Sequence, residues 1–225
     1  MDTNNPNQIE EVTSTPNAET KIQMASNRNL FKKSLYIAGG FVVILLAVLA
    51  FRYFGQNSAQ KDFEQVQLQG MKIAPNDTAS VEKYYQDLKK VADNGSYAAN
   101  QNAKIQYATY LYAEKEDYKQ ALAYLDGVSA KSAVVATGVE SLKGDCYVNL
   151  GEYDKAISCF EDALDEADEN PELTPYVLNK LANVYGVTNK FDKQLEILEK
   201  IRKDYPTYSP TIDAQIARAK AAAGK

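Results

Sequence analysis

Cys146 and Cys159 are the only thiols in a chain of 225 residues that contains no histidine. Without histidine the chain lacks the commonest general base at neutral pH and the commonest metal ligand. Two thiols cannot by themselves complete a four-ligand zinc site, and their spacing is not that of a CxxC motif. The other concentration of reactive groups is acidic: Glu161, Asp162, Asp165, Glu166, Asp168, Glu169 and Glu172, with no basic residue between Lys155 and Lys180. This run lacks the DxDxDG pattern of a calcium loop, and negative charge near a helix C-terminus opposes the macrodipole. It reads first as a solvated face, with attraction of a basic partner as the alternative. The net charge of -5 gives no electrostatic footprint for nucleic acid. No catalytic residue, cofactor-binding residue or metal ligand is assigned, and the chain is expected to be a non-enzyme.

The elements that carry these groups are clearest from Leu142 to Leu164, LKGDCYVNLGEYDKAISCFEDAL. Leu142, Gly144 and Tyr147 lie on one face of a first helix, Asn149 to Glu152 form a turn, and Tyr153, Ala156, Phe160 and Ala163 recur at helical spacing on a second. Gly144 and Ala156 let the helices approach, and the aromatic rings fill the gap. One hairpin cannot bury its own face, so repetition is expected. Tyr112, Tyr118, Ala121 and Leu125 stand about 35 residues before the corresponding central positions, and Ala182, Tyr185, Phe191, Leu195 and Leu198 take the same roles after them.

This spacing resembles the tetratricopeptide repeat (TPR), most specifically in the central copy, with Glu140 and Ile105 where the family often has Trp and Gln194 where it has a packing Ala. The resemblance implies an all-α solenoid of about three helical hairpins, with repeats near 102–135, 137–171 and 175–208. A half-repeat from Ser80 to Asn94, with Ser80 as helix cap, would precede them, and a capping helix over 209–223 would close the stack. It further implies a concave groove lined by the first helix of each hairpin, here Gln106, Tyr110, Ala113, Ser141, Asp145, Asn149, Asn179 and Asn183, suited to peptide backbone and partner helices. The family's carboxylate clamp needs basic groove residues, and only Lys180 lies near a suitable position. Tyrosines are dense from Tyr84 to Tyr124, and Tyr107, Tyr110 and Tyr124 exceed what the repeat requires; packing is the first reading and an amphipathic patch the second. Cys146 and Cys159 fall on the two helices of one hairpin, one residue off its packing face, which leaves a disulfide and two buried free thiols both open.

Upstream of the repeats the composition changes. Residues 1–33 are rich in Asn, Thr, Ser and Pro and are expected to form a disordered cytoplasmic tail. Ser34 to Phe51 carries no charge, and 18 such residues span about 27 Å as a helix, which predicts a transmembrane helix over 34–54. The length of the preceding segment argues against a cleaved signal peptide. Arg28, Lys32 and Lys33 crowd its N-terminal side, so the tail is expected in the cytoplasm and the rest across the membrane. Residues 55–79 read as a linker and possible capping helix, with a polar link from Gly55 to Gln60, and 80–225 as the repeat domain.

Anchor, tail and short acidic repeat stack together resemble the YfgM-type ancillary subunits of the bacterial SecYEG translocon. That resemblance implies a single-pass protein of the bacterial inner membrane with periplasmic repeats, binding exported chains, periplasmic chaperones or translocon subunits. A scaffold that holds one fixed partner in envelope assembly or cell division is the alternative.

Overall fold

The computed structural model describes residues 18–74 and 77–224, and side chains from Val43 onward within that range. Nine helices and no strand occur among the described residues: α1 Ala18–Gly70, α2 Thr78–Asp93, α3 Ala98–Ala113, α4 Tyr118–Asp126, α5 Ala133–Asn149, α6 Tyr153–Ala167, α7 Leu173–Val187, α8 Phe191–Asp204 and α9 Ile212–Ala222. The chain divides into two units after Phe54.

In the first unit α1 begins at Ala18, so the tail expected to be disordered over 1–33 is helical from there; residues 1–17 lie outside the described residues. Val43, Ile44, Leu45, Leu46, Val48, Leu49, Phe51, Tyr53 and Phe54 are all exposed. Among the described residues no helix is long and apolar enough to cross a membrane. Side chains 34–42 of the expected span fall outside that description.

The second unit is a stack of helical hairpins. Gly55 to Gln60 is helical, not a polar link, because α1 runs unbroken to Gly70. With no proline in the stretch, these polar positions continue the helix through Gly55, and beyond them Phe63 and Val66 reach the core formed with α2 to α5. Helix α2 is capped by Asp77, not Ser80: the Asp77 carboxylate accepts from the Ser80 backbone N–H at 3.0 Å. The acid outcompetes the hydroxyl because Ser80 sits in the first turn, where its own N–H is one of the unsatisfied donors. Between α2 and α3 the buried Asn100 accepts from Tyr97 N–H at 3.0 Å and donates to the Val91 carbonyl at 2.7 Å, which satisfies both helix ends at once.

Three hairpins follow, α3/α4, α5/α6 and α7/α8, and each turns through a left-handed residue at the same place. Those residues are Glu116 (φ 51°), Gly151 (φ 74°) and Asn189 (φ 57°). The Glu152 and Lys190 N–H groups then donate back to the carbonyls of Tyr147 and Tyr185, closing the first helix of each of those hairpins. The core is a chain of clusters. Leu88, Ala103, Ala108, Leu111 and Leu125 fill the first; Phe160, Ala163, Val177 and Leu181 the second; Leu195, Leu198, Ile201, Ile212 and Ile216 the last. Tyr147 packs on both the first and second, and Leu164 and Ile197 on both the second and last, so adjacent hairpins share their filling. An all-helical solenoid results, as the repeat spacing predicts.

Candidate peptide-binding groove

The residues predicted to line a groove sit on α3, α5 and α7, the first helix of each hairpin. They differ sharply in how free they are. Ala113, Asn149 and Asn183 are exposed, Gln106, Asp145 and Asn179 are half-buried, and Tyr110 and Ser141 are buried. Most of the polar ones are already spent on rungs between neighbouring helices. The Gln67 amide of α1 donates to Gln106 at 2.8 Å. Tyr110, only 5% exposed, stacks on Tyr85 of α2 with centroids 3.7 Å apart and donates its hydroxyl to Glu82 at 2.6 Å. Lys115 donates to the same Glu82 carboxylate at 2.9 Å. Between α3 and α5, the Asn149 amide reaches the Tyr112 hydroxyl at 3.4 Å and the Asp145 carbonyl at 2.9 Å.

The strongest rung joins α5 to α7. The Lys180 ammonium lies 2.7 Å from each Asp145 carboxylate oxygen, and over the Tyr176 ring at 4.9 Å from its centroid. Burial works against the Lys180 charge, but the Asp145 carboxylate outweighs it and the amine sits above its ordinary range. Lys180, the one basic residue expected near a clamp position, is thus committed to a carboxylate of its own chain.

The tyrosines between 84 and 124 are packing residues. Tyr107 and Tyr110 are buried, and Tyr124 meets Tyr107 edge-on at 4.9 Å while donating to Asp93 at 2.9 Å. Both cysteines are free, so the disulfide left open by the sequence is not formed. Cys146 is sealed in the core that α5 shares with α3 and α4, whereas Cys159 on α6 is only half-buried and outside that cluster. The acidic residues from Glu161 to Glu172 are exposed and enter no ion pair among the described residues.

Asn179 and Asn183 face a different setting. With Gln194 of α8 and Gln215 and Arg218 of α9 they line a cavity of about 540 Å³ at the C-terminal end of the stack. Sequence reasoning placed Gln215 and Arg218 in the capping helix and Gln194 at a packing-Ala position, and marked none of the three as a site residue. The available signal was the coincidence of four amides and a guanidinium on neighbouring elements, one of them, Gln194, where the repeat wants a small apolar residue.

A profile described as the tetratricopeptide repeat-like domain matches residues 65–186, more than half of the chain. The chain belongs to that family. Among solved structures it is similar to kinesin light chain TPR-like repeats from Podosopora anserina, at 13% identity and a TM-score of 0.57, covering 75% of this chain and 88% of that one. It is also similar to MamA, at 18% identity and a TM-score of 0.53, covering 65% of this chain and 81% of that one. At these identities the likeness is one of fold. No curated protein matches the chain. Repeats of this family are typically non-catalytic scaffolds for protein–protein interaction.

Proposed function

We propose that this TPR protein is a membrane-anchored adaptor whose repeats bind protein partners on the periplasmic side of a bacterial inner membrane, at the secretion translocon. The observation that carries the anchor is the outward display of apolar side chains from Val43 to Phe54 on α1. A helix apolar on every side is costly in water, at roughly 25 cal/mol per Å² of exposed apolar surface, and lipid removes that cost. In the sequence the same run extends back to Ser34 without a charge, and Arg28, Lys32 and Lys33 precede it. Positive flanking charge favours a cytoplasmic N-terminus and places the repeats across the membrane. The translocon setting follows the resemblance of anchor and stack to YfgM-type subunits. Exported chains, periplasmic chaperones and translocon subunits are the partners this reading names.

Alkaline carbonate extraction tests the anchor: the chain should stay with the membrane pellet, and release to the supernatant would overturn the reading. Protease added to spheroplasts should digest the repeats, whereas protection until lysis would reverse the orientation. For partners, a photoreactive residue belongs at the exposed Asn183 and not at the buried Tyr110. Many exported chains together with translocon subunits support the adaptor. A single stoichiometric envelope protein would instead make it a fixed scaffold.

A further inference from the structure

We propose that the cavity between α7, α8 and α9 is a binding site for a neutral sugar, a pyranose unit of an oligosaccharide. This goes beyond the protein-binding reading above and does not depend on it. At about 540 Å³ the cavity has the size of a small-molecule site, roughly 300–1,000 Å³. Asn179 and Asn183 of α7, Gln194 of α8 and Gln215 of α9 line it with four carboxamides, joined by the Arg218 guanidinium. Among the described residues no carboxylate lines it. A carboxamide matches two neighbouring sugar hydroxyls, because its N–H donates to one while its oxygen accepts from the next.

The lining also separates ligand classes. The Asn179 side-chain oxygen is buried and has no hydrogen-bond partner among the described residues. Such an acceptor is unfavourable until a donor meets it, once the side chain turns its oxygen to the cavity. An ionised acid has no proton to give, whereas each sugar hydroxyl both donates and accepts. A peptide N–H would serve as well, but a peptide carries one N–H and one C=O per residue and otherwise presents side chains, which find few apolar walls here. A sugar ring carries polar groups around its whole edge and C–H bonds on its faces. Phe191 of α8 lines the same cavity and offers an aromatic surface for such a face. Arg218 is exposed and forms no ion pair among the described residues, and its rigid fork of N–H donors spans two adjacent hydroxyl oxygens.

Two departures from the repeat build the polar wall. In the central hairpin the fully buried Ala156 and the partly buried Val148 pack in one cluster. In the third hairpin Gly186 stands where Val148 would be and Gln194 where Ala156 would be. A Cβ added to Gly186 would lie 2.5 Å from the Gln194 amide nitrogen. Bulk has moved from α7 to α8, and the side chain that fills the space left by glycine ends in a hydrogen-bonding amide. A pair chosen for packing alone would have stayed apolar, as it does in the central unit. Gln215 is held in place as well: its amide nitrogen donates to the Thr211 hydroxyl at 3.4 Å, which leaves its oxygen to accept.

The test uses the full chain in a phosphocholine detergent, which has no sugar headgroup, and ligand-observed NMR titration. The probes are maltotriose, chitotriose and an uncharged glycine–serine peptide of about six residues, acetylated and amidated at its ends. At least one trisaccharide should bind with a Kd of about 1 mM or tighter. The two sugars share the hydroxyl edge and differ in acetamido groups, so their comparison shows which is read. Asn183→Ala and Arg218→Ala, both at exposed positions, should each weaken binding about fivefold, the loss of one or two hydrogen bonds, with unchanged helical circular dichroism. Asn149→Ala, on α5 and outside the cavity, should leave it unchanged. Failure of both sugars to bind, binding untouched by the two cavity variants, or equal loss in Asn149→Ala would overturn the proposal. A peptide that displaces the sugar, or binds where neither sugar does, would overturn the choice of a sugar over a peptide. The adaptor stands or falls separately, on the crosslinking from Asn183.

Discussion

Burial, with the Asp145 charge behind it, pushes the Cys146 thiol up to about 12, and burial with Glu140 pushes Cys159 up to about 11. Almost no thiolate exists at neutral pH, so neither cysteine is a ready nucleophile. Iodoacetamide at mildly alkaline pH should leave both unmodified in the folded protein and label both after denaturation; mass spectrometry showing fast native labelling of Cys159 would contradict this. Glu82 is the opposite kind of residue. The Tyr110 hydroxyl, then Lys115 and Gln86, hold its carboxyl down from 4.5 to about 2. Because the folded value lies below the unfolded one, its contribution is complete above pH 4.5 and is lost as the pH falls toward 2. Glu82→Gln should therefore melt below the wild type near neutral pH, with the gap closing as the solution is acidified. Thermal melts across that range decide it, and a gap independent of pH would show that the carboxylate charge is not what Tyr110 and Lys115 hold.

On α5 two glycines separate packing from propensity. A Cβ on Gly144 would sit 2.5 Å from the Phe160 ring, whereas one on Gly138 meets nothing within 4 Å. Gly144→Ala should destabilise by about 1–3 kcal/mol through overpacking. Gly138→Ala should stabilise by roughly 0.5–1 kcal/mol, since a mid-helix glycine loses more backbone freedom on folding. Urea titration of both variants tests the pair. Hairpins such as α5/α6 were legible because size alternation at helical spacing is a direct print of their packing: Gly144 and Phe160 are opposite because nothing larger than hydrogen fits there. The groove was less legible. Helical period places Tyr110 on a first helix but says nothing of Tyr85 and Glu82 across from it, which bury it and take its hydroxyl. Nor does the period reveal that Lys180 closes on Asp145, or that Arg218 and Asn179 line one cavity, because both depend on how far one hairpin rotates on the next. The Asp77 cap was missed for a simpler reason, since two capping residues three positions apart compete and the choice depends on where the first turn begins.

Across the whole repeat unit the core is a series of shared clusters, so stability is a sum of neighbouring terms and the ends can open separately. Helix α9 contributes Ile212, Ile216 and Ala219 to the last cluster, covering Leu195, Leu198 and Ile201. At the other end Leu88 is fully buried among residues of α2 to α5. Ile216→Ala and Leu88→Ala each remove a buried aliphatic group and should cost about 2–5 kcal/mol in the cluster they belong to. Hydrogen exchange should show where. Ile216→Ala is expected to speed exchange in α8 and α9 while α2 to α4 keep their protection, and Leu88→Ala to do the reverse. Uniform loss of protection in either variant would mean the stack unfolds as one cooperative body.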